Sequence, residues 1–349
     1  MSGAPDPGAL QREVAEFQRR LALSAATLAR LPPVALATAR REAVWNEGPA
    51  TLYRYQSLAR PAGLPPLLIV FALVNRPTVL DLQPDRSLIR GLLAAGLDVY
   101  LLDWGTPGRG DRRLTLEDYI DGYLHRALGR LTAEHGPVNL LGVCQGGTLS
   151  VVYASLAPER IARLVTMVTP VDFHTPENLL SKWVREVDVD RLVDTCGNVP
   201  GELLNFAFLS LLPFRLRLQK YLALVDGAED PQQLETFLRM EQWIADSPDQ
   251  AGEAFREFVR WFYLENRLAR GTLAIGGRAV DPGRLTMPIL NVYATGDHLV
   301  PPSASRPLGR LARSPAYEEL AFAGGHIGIY VSSRARSLPA AIAGWLARR

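Results

Sequence analysis

The chain has 349 residues, 48% of them hydrophobic, with 38 basic against 36 acidic side chains and a net charge of +2. That length and apolar content suit one large α/β domain with an insertion, or two modest domains, and the balanced charge argues against a nucleic-acid binder. Two cysteines, Cys144 and Cys196, cannot build a disulfide framework, which fits a reducing cytosol.

Residues 9–31 read as a helix with an apolar face through Val14, Phe17 and Leu21, ended by Pro32 and Pro33. That face suits packing on the chain's own domain or contact with a partner. Asp6, Glu13 and Glu16 fall where a signal peptide would need a basic region and an apolar core. From residue 51 onward strands and helices alternate. Residues 51–58 read as an edge strand, and 67–74 as a buried central strand. An amphipathic helix is expected over 85–95, a strand over 97–103, a long helix over 116–135 and a strand over 138–143. A helix over 147–156 and a strand over 161–168 follow. The most apolar stretch, 64–74, is too short to span a bilayer and is bounded by Pro65, Pro66 and Pro77. No transmembrane segment is expected.

Alternation of this kind implies a mostly parallel sheet flanked by helices, with ligands at the carboxyl ends of the strands. The rhythm breaks after Pro170 and resumes with a strand at 288–294 and a last helix at 338–348. Residues 171–285 are therefore expected to form a mainly helical cap. It would be inserted into a core of residues 46–170 and 286–349, behind an N-terminal helical segment, 1–45. The aromatics of the cap, among them Trp183, Phe206, Phe214, Trp243, Phe262 and Tyr263, should form mostly cap core, with some lining an apolar channel.

The run Gly142-Val143-Cys144-Gln145-Gly146-Gly147 joins an apolar strand to a helix start. It is the nucleophile elbow of α/β-hydrolase folds, with cysteine in place of serine. Small residues on either side let strand and helix approach closely around a strained nucleophile. The helix's positive end favours thiolate. The elbow predicts an acid and then a histidine later in the chain. Asp297 follows the strand at 288–294, and His326 lies in the glycine-flanked loop 323–328. His298 adjoins Asp297 and reads as structural or supporting; His125 and His135 read as surface residues, His174 is undecided, and Cys196 reads as a buried thiol. Backbone N–H groups of Gln145 and of Val74 or Asn75 should form the oxyanion hole. Arg109, Arg112 and Arg113 read as a solvated basic loop, with coenzyme A phosphate contact as the alternative. No metal-ligand spacing or phosphate-binding loop is present, and no metal or redox cofactor is expected.

A thiol that takes an acyl group from a thioester keeps it activated for transfer to an alcohol, whereas a serine ester forfeits part of that drive. His326 would serve as general base.

Several runs together resemble polyhydroxyalkanoate synthases: Leu73-Val74-Asn75-Arg76-Pro77, Asp103-Trp104-Gly105, the Cys144 elbow, 169–174, Asp246-Ser247-Pro248-Asp249-Gln250, 296–302 and 324–328. The resemblance covers the chain from about Trp45 onward. Its length and Gln145 elbow are similar to class III, with class IV close in size. The resemblance implies polymerisation of (R)-3-hydroxyacyl-CoA, with 3-hydroxybutyryl-CoA favoured, and release of CoA. Cys144 would carry the growing polyester, His326 would activate it, and Asp297 would activate the acceptor hydroxyl, directly or through His326. It further implies a second, non-catalytic subunit, a homodimer or hetero-oligomer, and a place in the cytoplasm at the surface of polyester granules. The rival readings are a cysteine hydrolase of dienelactone hydrolase or thioesterase type, and a non-catalytic granule scaffold.

Overall fold

An eight-stranded sheet organises the chain. The computed structural model describes residues 7–211 and 230–348. The strands are β1 (Arg41–Glu47), β2 (Ala50–Tyr55), β3 (Leu67–Val70), β4 (Val99–Asp103), β5 (Val138–Val143), β6 (Ile161–Met167), β7 (Ile289–Ala294) and β8 (Tyr317–Phe322). Their spatial order is β1-β2-β4-β3-β5-β6-β7-β8. From β4 to β8 every neighbouring pair is parallel, and β2 runs antiparallel to both β1 and β4.

The central strands are apolar on both faces because both faces are covered. Leu68, Val70 and Leu140 join one core cluster, whereas Leu67, Ile69, Leu141 and Val143 join the other. Their alternation is the two-residue period of a strand divided between two layers. Helix α1 spans Pro7–Leu28, α2 Leu88–Ala94, α3 His125–His135 and α4 Gln145–Leu156. Ser87 caps α2 by accepting from Arg90 N at 2.9 Å. A π-helical turn, Asp118–Leu124, leads into α3.

The sheet departs from the sequence reading in four places. Strand β1 lies partly within the span read as an N-terminal helical segment, 1–45. Its alternation is obscured by a bulge between Ala43 and Trp45. Because β1 takes the edge, the strand read at 51–58 is internal. The strand read as 67–74 leaves the ladder after Val70 and continues as a buried loop. Strand β8 escaped notice because only Phe322 in it is buried. In α1, Val14, Phe17 and Leu21 are exposed, and Ser24 is buried.

Neighbouring strands β6 and β7 are joined by a long excursion. Among the described residues its α-helices are Leu179–Val184, Val189–Cys196, Gly201–Leu211, Pro231–Ala245, Gly252–Phe258 and Arg267–Arg270, followed by a ribbon of Ala274–Ile275 with Arg278–Ala279. Phe173, Phe258, Phe262 and Tyr263 pack as an aromatic cluster, with Phe258 and Phe262 stacked at 4.6 Å. Trp243 is buried, whereas Trp183 and Phe206 are 45% and 58% exposed. Phe214 lies outside the described residues.

A buried polar tie fixes β7 laterally. Asn291 Oδ1 accepts from Thr166 Oγ1 on β6 at 2.9 Å and from Ser305 Oγ at 3.0 Å, while its Nδ2 donates to Ser305 O at 3.2 Å. Asn291→Leu would strand these groups in an apolar layer. It is expected to cost about 3 kcal/mol of unfolding free energy. Urea denaturation checks this, and a loss below about 1 kcal/mol would show that the tie does not hold the strands.

Candidate active site

Strand β5 ends at Val143, and α4 begins two residues later at Gln145. Cys144 makes the whole reversal, at φ 53° and ψ −124°, a conformation that costs a non-glycine residue of order 1–3 kcal/mol. Its surroundings hold it there. Cys144 N donates to Met167 O at 2.9 Å, and Cys144 O accepts from Gly147 N at 2.9 Å and Thr148 N at 3.2 Å. The approach of helix to sheet explains the glycines. A Cβ on Gly146 would lie 2.2 Å from Phe71 O, and one on Gly147 would lie 1.8 Å from Thr169 Oγ1.

The loops after β7 and β8 bring the other two predicted residues to Cys144. They are fastened together by Gly296 N donating to Gly324 O at 2.8 Å and Thr295 N to Phe322 O at 2.8 Å. Across this junction His326 Nδ1 donates to Asp297 Oδ2 at 2.7 Å. The Asp297 side chain is fully buried, and its Oδ1 accepts from Leu299 N and Val300 N, both at 2.9 Å. Cys144 lies close enough to His326 to raise its imidazole. With Nδ1 committed to Asp297, the nitrogen left to meet the thiol is Nε2. Burial disfavours the imidazolium, yet the charges of Asp297 and Cys144 and the hydrogen bond to Asp297 hold His326 well above its ordinary value.

The nitrogen that meets Asp297 Oδ2 is Nδ1 of His326. His174 Nε2 binds Tyr263 O at 2.8 Å, which makes it a brace within the aromatic cluster. His125 lies 3.5 Å from Tyr153 OH. Cys196 is exposed, contrary to the buried thiol expected, because it closes a short helix whose buried residues are Val189 and Val193. Arg109, Arg112 and Arg113 are exposed on a short 3-10 turn.

The buried loop after β3 runs alongside the elbow. Gln145 Oε1 accepts from Leu73 N at 2.9 Å. Among the described residues, no acceptor is recorded for the amides of Val74 and Asn75. Gln145 N–H stands at the first helical position, where α4 offers no acceptor. Two phenols stand near the thiol: Tyr263, expected only as a cap aromatic, and Tyr330, which the sequence reading missed. Tyr263 and Tyr330 are raised above the ordinary tyrosine range, first by burial and then by the charge of Cys144. Tyr330 sits four residues after His326, a helical spacing that was available as a signal. Among the described residues no cluster of His, Cys, Asp and Glu could hold a metal, and no helix is long and apolar enough to cross a membrane.

Residues 65–333 match the family model of the alpha/beta hydrolase fold. The chain is 52% identical to a protein of Allochromatium vinosum named poly(3-hydroxyalkanoate) polymerase subunit PhaC, over 98% of both chains. The PhaC of Thiocystis violacea is 50% identical, again over 98% of both. That of Synechocystis is 50% identical over 88% of this chain and 84% of the relative. Among solved structures, a thermophilic esterase from Thermogutta terrifontis superposes with a TM-score of 0.53 at 19% identity, covering 88% of this chain and 98% of that one. That likeness is one of fold.

The raised His326 value has a consequence for stability. A raised folded value adds stability that is complete below the unfolded histidine value of about 6.5 and is lost as pH rises through the folded one. Asp297→Asn removes one cause of the rise. The unfolding midpoint of the unmodified chain should therefore exceed that of the variant by more at pH 6 than at pH 9. Equal gaps at the two pH values in thermal melts would refute the coupling.

Proposed function

This chain belongs to the poly(3-hydroxyalkanoate) polymerase PhaC family within the alpha/beta hydrolase fold, and we propose from that premise that it polymerises (R)-3-hydroxyacyl-CoA, 3-hydroxybutyryl-CoA above all. The observation that carries the reaction class is the end-to-end match to a polymerase subunit at 52% identity. What supports the chemistry is Cys144 on its elbow, facing a histidine whose other nitrogen is held by a buried carboxylate.

Cys144 Sγ gives its proton to His326 and bonds the acyl carbon of the thioester. The carbonyl oxygen takes up negative charge, met by the N–H of Gln145 and that of Val74 or Asn75. The bond from carbon to the CoA sulfur then breaks, and the CoA thiolate leaves with the proton from His326. Next, the 3-hydroxyl of another hydroxyacyl unit gives its proton to His326 as its oxygen bonds the same carbon. The bond to Cys144 breaks, the proton returns to sulfur, and the chain is one ester longer. Because the first step exchanges one thioester for another, the acyl group remains activated for the second.

Both oxygens of Asp297 are already bonded, one by His326 and the other by two backbone amides. This supports a role through His326, with direct activation of the hydroxyl as the alternative. Residues 171–285 would act as the cap over the site. A second, non-catalytic subunit belongs to the proposal, supported by the word subunit in the relatives' name. An insoluble product would hold the enzyme at the surface of its own granule.

The assay is CoA release and product size from 3-hydroxybutyryl-CoA, with and without the partner subunit. Polymer together with stoichiometric CoA is expected; free hydroxy acid alone would convert the reading to a thioesterase. Cys144→Ala should abolish CoA release, and full retention would sink the proposal. Asp297→Asn should lose Cys144 acylation and elongation together, by about 100-fold or more. Intact acylation with blocked elongation would assign Asp297 to the hydroxyl directly.

A further inference from the structure

The two amides that flank the proposed oxyanion site from the β3 side belong to a loop with little regular structure of its own. Residues 71–76 form neither helix nor strand, and Asn75 adopts φ 60°, a left-handed conformation that a side chain disfavours. One end of the loop is held from the elbow, by Gln145 Oε1 on Leu73 N at 2.9 Å. The other end is held from the excursion between β6 and β7. Ser247 Oγ donates to Asn75 Oδ1 and accepts from Asn205 Nδ2 at 2.7 Å. Trp243 Nε1, on a buried indole, donates to Arg76 O at 2.8 Å. Asp246 Oδ1 lies 3.3 Å from Arg76 Nε, while the same guanidinium reaches Gly105 O at 3.3 Å and Thr106 Oγ1 at 2.8 Å. Three runs far apart in sequence, 73–77, 103–106 and 243–247, thus meet on one bend.

The bend needs both anchors. Leu73 N is committed to Gln145, so the amides of Val74 and Asn75 are the next ones along the chain that remain able to face a developing oxyanion. Their direction is set by the peptide plane between Leu73 and Arg76. Without the grip on Asn75 and Arg76 that plane is free to relax toward ordinary backbone angles. Removing one donor from an oxyanion hole costs about 100- to 1,000-fold in rate, and misdirecting it costs a part of that.

We infer that Ser247 is a positioning residue for the oxyanion hole, through which the inserted segment holds the Val74–Asn75 amides in their acyl-accepting direction. The inference rests on the proposed Cys144 acylation. A displaced segment would leave Cys144, His326 and Asp297 in place and still disarm acyl transfer.

The test is single-turnover acylation of Cys144 in the full chain, using 3-hydroxybutyryl-CoA and, in parallel, a p-nitrophenyl acyl ester. Iodoacetamide alkylation of Cys144 serves as a reaction that needs no oxyanion hole. Ser247→Ala should lower the acylation rate at saturating donor by about 10-fold or more, with the half-saturating concentration and the alkylation rate unchanged within about 2-fold. Ser247→Thr, which keeps the hydroxyl, should recover most of the rate. Trp243→Phe, which deletes the bond to Arg76 O and trims a buried ring, should show the same pattern in weaker form and stands in if Ser247→Ala does not fold. A loss below about 2-fold, or an equal loss of alkylation, would overturn the inference. An unmodified chain that accepts the ester and ignores the CoA thioester would instead overturn the substrate reading, and the ester arm still decides on Ser247.

Discussion

The catalytic end of this molecule depends on how closely the start of α4 approaches the sheet. Gly146 lies against the carbonyls of Val70 and Phe71, and Gly147 against Thr169, at distances that no Cβ tolerates. Two side chains are thereby excluded, and in return Cys144 is lifted clear of both strand and helix, with the helix's amides beneath it. The same closeness brings the Gln145 side chain to Leu73 N. One contact therefore sets both Cys144 and one wall of the site beside it.

The opposite wall is built on a different principle. Asp297 and His326 come from separate loops, held by hydrogen bonds between those loops and by burial. Taking a carboxylate to zero exposure is costly unless its oxygens are bonded. Here three N–H groups meet them, one from His326 and two from the backbone. That arrangement fixes the imidazole by its Nδ1, and the charge of Asp297 favours the imidazolium. Backbone strain sits in Cys144 and the Asn75 bend, whereas the charge sits in Asp297 and His326.

Much of this was legible in the sequence because it follows from local pattern. The run 138–143 is uniformly apolar and became the wholly buried β5. The glycines of the elbow, Asp297 at the end of β7 and His326 between glycines are each readable from strand position and spacing. What was missed has a physical reason in each case. Strand β1 hides behind a bulge, and β8 exposes most of its length. Strand β3 stops early because its following residues leave the ladder to meet Gln145. The Ser247–Asn75 bond joins positions 172 apart, and no local pattern announces it. Cys196 was taken as buried from residue type alone, and its helix turns the thiol outward.

The contrast between the elbow and the β3 loop bears on chain growth. Cys144 and its glycines are locked by backbone contacts that leave little room for adjustment, as the proposed nucleophile would require. The β3 loop is gripped by side chains from a segment that lies outside the sheet, and side-chain hydrogen bonds can be remade at low cost. The proposed reaction would at each step expel CoA and admit an acceptor hydroxyl to the same carbon, which calls for a site that yields on one side without disturbing the other. The rigid elbow opposite a loop held from the inserted segment supplies that asymmetry. The Asn75 bend, strained and externally held, is where the two requirements meet.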